Sequence, residues 1–474
     1  GVIHPITDPA DRSRKLGEWQ SLPVEAVADA IAAARAGFRA WARTPVQARS
    51  QMLDRAADVL EARRDEFLLL LTREAGKSIP DGIAEVREAV DFLRYYAAHA
   101  RKLMSGALAL PGPTGEHNEL QLHPRGVFVA ISPWNFPLAI FAGQVAAALV
   151  TGNTVVAKPA EQTNMVAVRF CEILHEAGVP RDALQCVLGE GDVGAALCSD
   201  ARIAGVVFTG SVEVAQAINR TLAARSGPIA VLIAETGGQN AMIVDSSALP
   251  EQVVKDAMYS AFLSAGQRCS ALRVLLLQDQ IADRVIRMLG GAMRELQVGD
   301  PGLLATDIGP VIDSQARQRL LDHAEAITQV GKLIERLPVP EAFQGGTYFP
   351  PCAVEIDSLA KLKQENFGAM LHVIRYPGRQ LEAMVDALNA TGFGLTLGVH
   401  SRIEGTWRRV QAQAEVGNCY INRNMVGAVV GVQPFGGEGL SGTGPKAGGP
   451  HYLLRFVTER TLTSGVALMV LFIA

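Results

Sequence analysis

The chain is poor in the features that mark several common kinds of protein. Its six cysteines (Cys171, Cys186, Cys198, Cys269, Cys352, Cys419) include no C-x-x-C pair. This argues against a disulfide framework or a zinc ribbon and for a reducing compartment, the cytoplasm. Nine histidines form no H-x-x-x-H pair and no close cluster with cysteine, so nothing calls for a metal. There is no long Lys/Arg block, and the formal net charge is −4, which leaves no basic footprint for nucleic acid or an anionic membrane surface. The most apolar run, GVALMVLFIA at 465–474, has ten residues, too few for a bilayer span of about 20. It is expected to be a strand that packs on a neighbouring subunit or domain. An initial Met and a signal or transit segment are also missing. The opening GVIHPITDPADRS reads as the interior of a longer polypeptide.

What is present suits a multidomain α/β enzyme acting on a small molecule. The 474 residues exceed what one core usually serves, so two or three domains with a cleft between them are expected. Val24, Val27, Ile31, Ala34, Phe38 and Trp41 recur at three- and four-residue steps, predicting a helix over 24–42. A second helical run, about 48–75, carries Met52, Ala56, Leu60, Phe67 and Leu71 and should stop at Gly76, making the first hundred residues mostly helical. From about 125 the pattern changes to short apolar runs: 126–131, 153–158, 184–188, 205–210, 230–235 and 240–245. Helical stretches such as 138–151 and 163–177 lie between them. That alternation predicts a parallel, doubly wound sheet, and a second strand-and-helix set follows Cys269 to about 430.

Several segments carry possible chemistry, each with a bland alternative. GEGDVG (189–194) is a literal G-x-G-x-x-G, but it reads equally well as a tight turn before a helix. FTGSVEVA (208–215) ends a strand and opens a helix. Gly210 would let the backbone approach a pyrophosphate and Ser211 would offer a hydroxyl and an N–H; the alternative is an ordinary Ser-capped helix. In VVAKPAEQ (155–162), Lys158 and Glu161 could hold the two hydroxyls of a ribose, with the carboxylate repelling a 2′-phosphate, or could be a solvated pair. Asn135, in SPWNFPLAIF (132–141), is either a turn stabiliser or an oxyanion donor. Glu235 of AETGGQN ends an apolar strand where burial would raise its pKa toward that of a general base. Cys269 of SAGQRCSALR sits between Arg268 and Ser270 in a polar, glycine-containing setting, which favours a nucleophile over a small core residue.

Taken in order, PWNFP, KPAEQT, FTGS, ETGGQN, GQRCS, ENFG and QPFGGEGLSG resemble the aldehyde dehydrogenase superfamily over nearly the whole chain. More narrowly, IAETGGQNAMIVDSSALPEQVV, SAGQRCSALRVL and NRNMVGAVVGVQPFGGEGLSGTGPKAGGP resemble the L-glutamate γ-semialdehyde (Δ¹-pyrroline-5-carboxylate) dehydrogenase domain of bifunctional proline utilization enzymes. The resemblance implies an aldehyde dehydrogenase fold: a Rossmann-like NAD-binding domain, an α/β catalytic domain and a small β oligomerisation flap. The implied boundaries are 1–105 and 125–237 for the NAD-binding domain and 238–436 for the catalytic domain. The flap takes 106–124 and 456–474, and 437–455 returns to the NAD-binding domain.

For the site, the resemblance implies Cys269 as nucleophile, Glu235 as the base that activates water, and Asn135 with the Cys269 N–H as oxyanion donors. NAD would meet Trp134, Lys158, Glu161, Gly210, Ser211, Glu365 and Phe367. The substrate, a semialdehyde with an amino-acid head, would meet Glu88, Phe136, Arg268, Ser270, Gly427, Ala428 and Phe435. It also implies a homodimer or fusion to a proline dehydrogenase domain. Two rival readings remain: a cysteine hydrolase or acyltransferase, for which no histidine base lies in the motifs, and a non-catalytic scaffold. Within the enzyme class the alternative is a broader aliphatic or succinate semialdehyde dehydrogenase.

Overall fold

The computed structural model describes residues 1–465. The predicted terminal strand, 465–474, lies outside the described residues apart from Gly465. Helix Val27–Arg43 buries Val27, Ile31, Ala34 and Trp41, as their spacing requires, while Val24 sits outside it in a short 3₁₀ turn and is exposed. The expected helix over 48–75 is two helices, Val46–Ala62 and Arg64–Ala75, broken at Arg63. Periodicity could not locate the break, because Leu60, Phe67 and Leu71 keep one continuous buried face across it. Gly76 does end the second helix, at φ 68°. Residues 3–20 depart from the helical expectation: Ile3–Asp8 and Asp11–Gln20 form an antiparallel hairpin. Its turn is fixed by the buried Asp8 carboxylate, which accepts from Ala10 N–H at 2.8 Å and from Arg14 at 2.7 Å.

Five parallel strands form one sheet in the order Leu184–Cys186, Thr154–Lys158, Val127–Ile131, Ile203–Thr209, Val231–Glu235. Alternate residues serve two separate cores. Phe128, Ala130, Val155 and Ala157 pack with helices Ala139–Val150 and Asn164–Glu176. Val127, Val129, Val156 and Phe208 pack with helices Val27–Arg43 and Gly191–Ser199. Burial on both faces is why these strands read as continuous apolar runs. The chain leaves Val127–Ile131 toward one edge and returns to its other side with Ile203–Thr209, so a topological switch point lies between those two strands.

Seven strands form the second sheet: Lys332–Arg336, Cys352–Glu355, Met370–Tyr376, Val274–Gln278, Ala241–Val244, Thr396–His400 and Asn418–Ile421. All neighbours are parallel except the first pair. Met242, Val274, Leu275, Leu276 and Met370 are fully buried there, each contributing on the order of 1.5–3 kcal/mol of transfer free energy. A third, antiparallel sheet joins Val457–Ser464, His117–Pro124 and Leu108–Leu110, with Leu108, Leu110 and Leu462 exposed. Among the described residues no helix is long and apolar enough to cross a membrane, and no three His, Cys, Asp or Glu side chains gather as a metal site would need.

Candidate active site

The carboxyl ends of the five-stranded sheet and the loops of the seven-stranded sheet meet at Cys269. Helix Pro250–Phe262 ends just before it, and the chain then takes three left-handed residues in succession: Ser264 (φ 59°), Ala265 (φ 52°) and Gly266 (φ 70°). For the two non-glycine residues that costs about 1–2 kcal/mol each, so the surroundings must hold the loop. Gly266 has a separate reason for being glycine, since a Cβ there would lie 2.1 Å from the Gly368 carbonyl oxygen. The Cys269 loop and the ENFG loop are in backbone contact. Asn135 reaches the same loop from the first sheet, its Nδ2 donating to Gln267 O at 3.1 Å, and Trp134 meets Phe367 edge-on at 5.6 Å.

Glu235 ends strand Val231–Glu235. Its Oε2 accepts from Gly437 N–H at 3.3 Å, while Oε1 is buried with no partner among the described residues. Burial pushes its pKa well above the usual carboxylate range, against the Gly437 hydrogen bond and the Lys446 charge. Burial likewise pushes the Cys269 thiol up to about 12; Glu365 and Glu235 add to the rise, and Arg268 and Arg273 oppose it. The expectation of a raised Glu235 thus agrees in direction with the structure, and the thiol holds its proton at neutral pH.

A cavity of about 390 Å³ opens on these two groups, and every residue assigned from sequence to the substrate lines it: Glu88, Phe136, Arg268, Ser270, Gly427, Ala428 and Phe435. Arg268 is mainly a brace for that wall. It pairs with Asp81 and donates to Val426 O at 3.3 Å, tying down the loop that carries Gly427 and Ala428. Burial lifts the Glu88 carboxyl to about 7, the charge of Arg268 partly opposing it.

The residues assigned to a dinucleotide do not line this cavity: Trp134, Lys158, Glu161, Gly210 and Ser211 lie at or just past strand ends of the five-stranded sheet, and Glu365 and Phe367 lie in the loop before strand Met370–Tyr376. Lys158 is buried at the end of its strand, donates to Pro159 O at 3.1 Å and stands 3.9 Å from Glu161. Burial lowers its pKa, against the charges of Glu161, Asp192 and Glu190. The last two belong to GEGDVG, so that segment faces Lys158 as well as turning into helix Gly191–Ser199. Gly210 N–H donates to Glu235 O at 3.1 Å. Ser211 caps helix Val212–Ala224, accepting from Val214 N–H at 3.3 Å, which is the ordinary alternative weighed for it. Glu365 pairs with Arg273 at 3.0 Å and lies so close under Gly237 that a Cβ there would be 1.7 Å from its Oε2.

Sequence reasoning missed two sets of residues. Lys77 pairs with Asp81 at 3.1 Å and Glu85 at 2.9 Å behind the cavity wall, and its ammonium lies 4.4 Å from the centre of the Phe136 ring. Glu85 also accepts from Leu138 and Ala139 N–H at 2.8 and 3.2 Å, capping the helix that follows Asn135. The i, i+4, i+8 spacing of Lys77, Asp81 and Glu85 was visible, but such a charged stripe ordinarily faces solvent. The second miss, Arg273, carries no signal in its local sequence.

Comparison with known proteins was consistent with this geometry. Residues 3–462 match the model of the Aldehyde dehydrogenase family. The bifunctional protein PutA of Klebsiella aerogenes is 51% identical over 97% of this chain and 35% of its own length. The 1-pyrroline-5-carboxylate dehydrogenase of Geobacillus thermodenitrificans is 37% identical over 96% of this chain and 89% of its own. Among solved structures, a mutant of Bradyrhizobium japonicum proline utilization A superposes with a TM-score of 0.92 at 56% identity, covering 94% of this chain and 46% of that one. A mutant of Thermus thermophilus 1-pyrroline-5-carboxylate dehydrogenase gives 0.93 at 34% identity, covering 98% and 90%. The chain therefore spans about a third of the length of the bifunctional relative and most of the length of the stand-alone dehydrogenases.

Proposed function

The chain belongs to the aldehyde dehydrogenase family, and on that premise we propose that it oxidises L-glutamate γ-semialdehyde to L-glutamate with NAD⁺, through a thioester on Cys269. The observation that carries this reading is the single cavity that joins Cys269 and Glu235 to Ser270, Gly427, Ala428 and Glu88. An α-carboxylate would sit against the Ser270, Gly427 and Ala428 segments, an α-ammonium would face Glu88, and Phe136 and Phe435 would bracket the chain between head and aldehyde. The relatives named 1-pyrroline-5-carboxylate dehydrogenase support the same substrate.

The residues present fit a nicotinamide dinucleotide. Trp134, Lys158, Glu161, Gly210 and Ser211 stand at the carboxyl ends of parallel strands around a switch point, with a helix N-terminus after Gly210 and a buried lysine whose one hydrogen bond among the described residues is to Pro159. Lys158 and Glu161 would hold the adenosine ribose, Gly210 and Ser211 the pyrophosphate, and Glu365, with Phe367 and Trp134 alongside, the nicotinamide ribose. Three carboxylates around Lys158 (Glu161, Asp192, Glu190) disfavour a 2′-phosphate and favour NAD⁺. When bound, the oxidised nicotinamide supplies a hydride acceptor and a positive charge.

The thiol of Cys269 gives its proton to solvent, the one proton released overall, and its sulfur bonds to the aldehyde carbon. The developing oxyanion takes N–H donors from Asn135 and the Cys269 main chain. When the C–O double bond reforms, hydride leaves the carbon and a thioester remains. Glu235 then accepts a proton from water, the hydroxide attacks, the C–S bond breaks and the thiol recovers a proton. The sum is aldehyde, NAD⁺ and water giving acid, NADH and one proton.

We read the five-stranded sheet as the core of the dinucleotide domain, the seven-stranded sheet as that of the catalytic domain, and the three-stranded sheet as the flap that meets a second copy. A homodimer, or continuation into a proline dehydrogenase domain, fits that reading. The test is NADH formation at equal concentrations of glutamate semialdehyde, succinate semialdehyde and propionaldehyde. A preference for the amino-acid aldehyde is expected; equal rates for all three would leave a broad aldehyde dehydrogenase.

A further inference from the structure

Arg273 is 1% exposed, among the largest fully buried side chains, and follows Cys269 by four residues. Its main chain is pinned: Arg273 N–H donates to Asn240 O at 3.0 Å, and its carbonyl accepts from both His372 N–H and His372 Nδ1–H at 3.0 Å. With the proton on Nδ1, His372 Nε2 is free to accept from His323 Nε2 at 2.9 Å. Burial and the neighbouring His323 push His372 down to about 3, so this support stays neutral.

The guanidinium binds two loops at once. It donates to Gly266 O at 2.7 Å and Arg268 O at 2.9 Å on the nucleophile loop. It also donates to Glu365 Oε1 at 3.0 Å and Gly368 O at 3.4 Å on the ENFG loop, and lies 5.1 Å from the centre of the Phe367 ring. The first loop needs such a brace, because Ser264 and Ala265 are left-handed without being glycine. We propose that Arg273 is a positioning residue that locks the nucleophile loop to the loop bearing Glu365, so that the reactivity of Cys269 and the reach of Glu365 toward a cofactor ribose are set together. The ribose half of this statement rests on the function proposed above; the thiol half does not.

The charged and titratable groups facing the thiol are Glu365, Glu235, Arg268, Arg273 and Tyr420. Of the two arginines, Arg268 is paired with Asp81 in the cavity wall, whereas Arg273 is paired with Glu365, one of the two carboxylates that oppose thiolate formation. Lysine cannot replace it, since a point charge does not span four acceptors as a planar fork does.

The test uses the full chain without aldehyde or cofactor: the rate of iodoacetamide alkylation of Cys269, read by mass spectrometry of its peptide from neutral to alkaline pH. Glu365→Gln should move the alkylation midpoint to lower pH. Arg273→Gln should move it to higher pH, with alkylation at neutral pH roughly ten-fold slower, on the scale of one lost charge-assisted hydrogen bond. Arg273→Lys should move the same way by less, and gives the answer if the glutamine variant does not fold. In the double variant the two shifts should not add. NAD⁺ affinity, measured by calorimetry, should fall along with the alkylation rate. A lowered melting temperature with an unmoved midpoint would make Arg273 a core residue only, and additive shifts would separate the two loops; either result overturns the proposal. Because alkylation needs no substrate, failure to oxidise glutamate semialdehyde would leave this inference standing, and an unmoved midpoint would leave the substrate reading standing.

Discussion

Lys77, Asp81, Glu85 and Arg268, in and behind one wall of the cavity, and Cys269 and Glu235, which open on it, are ionisable groups withdrawn from water by the same fold. In the first set each charge has an opposite charge in contact. Burial there would raise Asp81, yet Lys77 and Arg268 together hold it below the usual carboxylate range, so it stays ionised, whereas Glu85, with Lys77 alone beside it, is still raised by burial. In the second set no cation among the described residues touches either group directly. Burial dominates, and both are driven toward their protonated forms. Pairing with two cations keeps the Asp81 charge in the wall, whereas burial without a direct cation favours the protonated forms of Cys269 and Glu235.

Four substitutions would break or sharpen that contrast. Cys269→Ser should remove NADH production entirely while NAD⁺ binding by calorimetry stays near wild type; loss of binding would mean that the thiol also shapes the cofactor site. Glu235→Gln should lower steady-state kcat by roughly 10²–10⁴-fold while leaving a first-turnover burst of NADH, the scale of a lost general base. A stopped-flow trace without a burst would move Glu235 to the first half of the reaction. Asp81→Asn, at the paired end, should instead cost about 3–5 kcal/mol of stability in urea unfolding by leaving Arg268 and Lys77 without their shared carboxylate. A stable variant with an altered burst would erase the distinction between the two ends.

The smallest effect is expected at Glu88, which belongs to neither class. Its carboxyl, lifted to about 7, is neutral below that pH and charged above it. An α-ammonium is held only by the charged form, so KM for glutamate semialdehyde should fall severalfold as pH rises through 7. Glu88→Gln should remove that dependence, and succinate semialdehyde, which has no amine, should lack it in both proteins. A shared pH profile for the two aldehydes would take Glu88 out of substrate recognition.

The parallel strands were readable because burial on both faces leaves an unbroken apolar run, and the helix end at Gly76 because only glycine takes its conformation cheaply. The hairpin at 3–20 was not readable; its turn depends on Asp8 being buried, and burial of one carboxylate is a tertiary event. Glu235 and Cys269 stood out as polar residues among glycines at the ends of apolar runs. Lys77, Asp81 and Glu85 gave no signal, since their spacing is the same whether that face meets water or the wall of a cavity.

Composition and motif order by themselves determined the fold class and singled out Cys269 and Glu235 as the proposed nucleophile and base, because those readings depend on residue type and on order along the chain. Only the tertiary structure decided which charges are paired, and with them the ionisation of Cys269 and Glu235 and the place of Arg273 between two loops nearly a hundred residues apart. The physical reason is that a pKa and a hydrogen bond depend on distances through space, and the chain brings those groups together only when it folds.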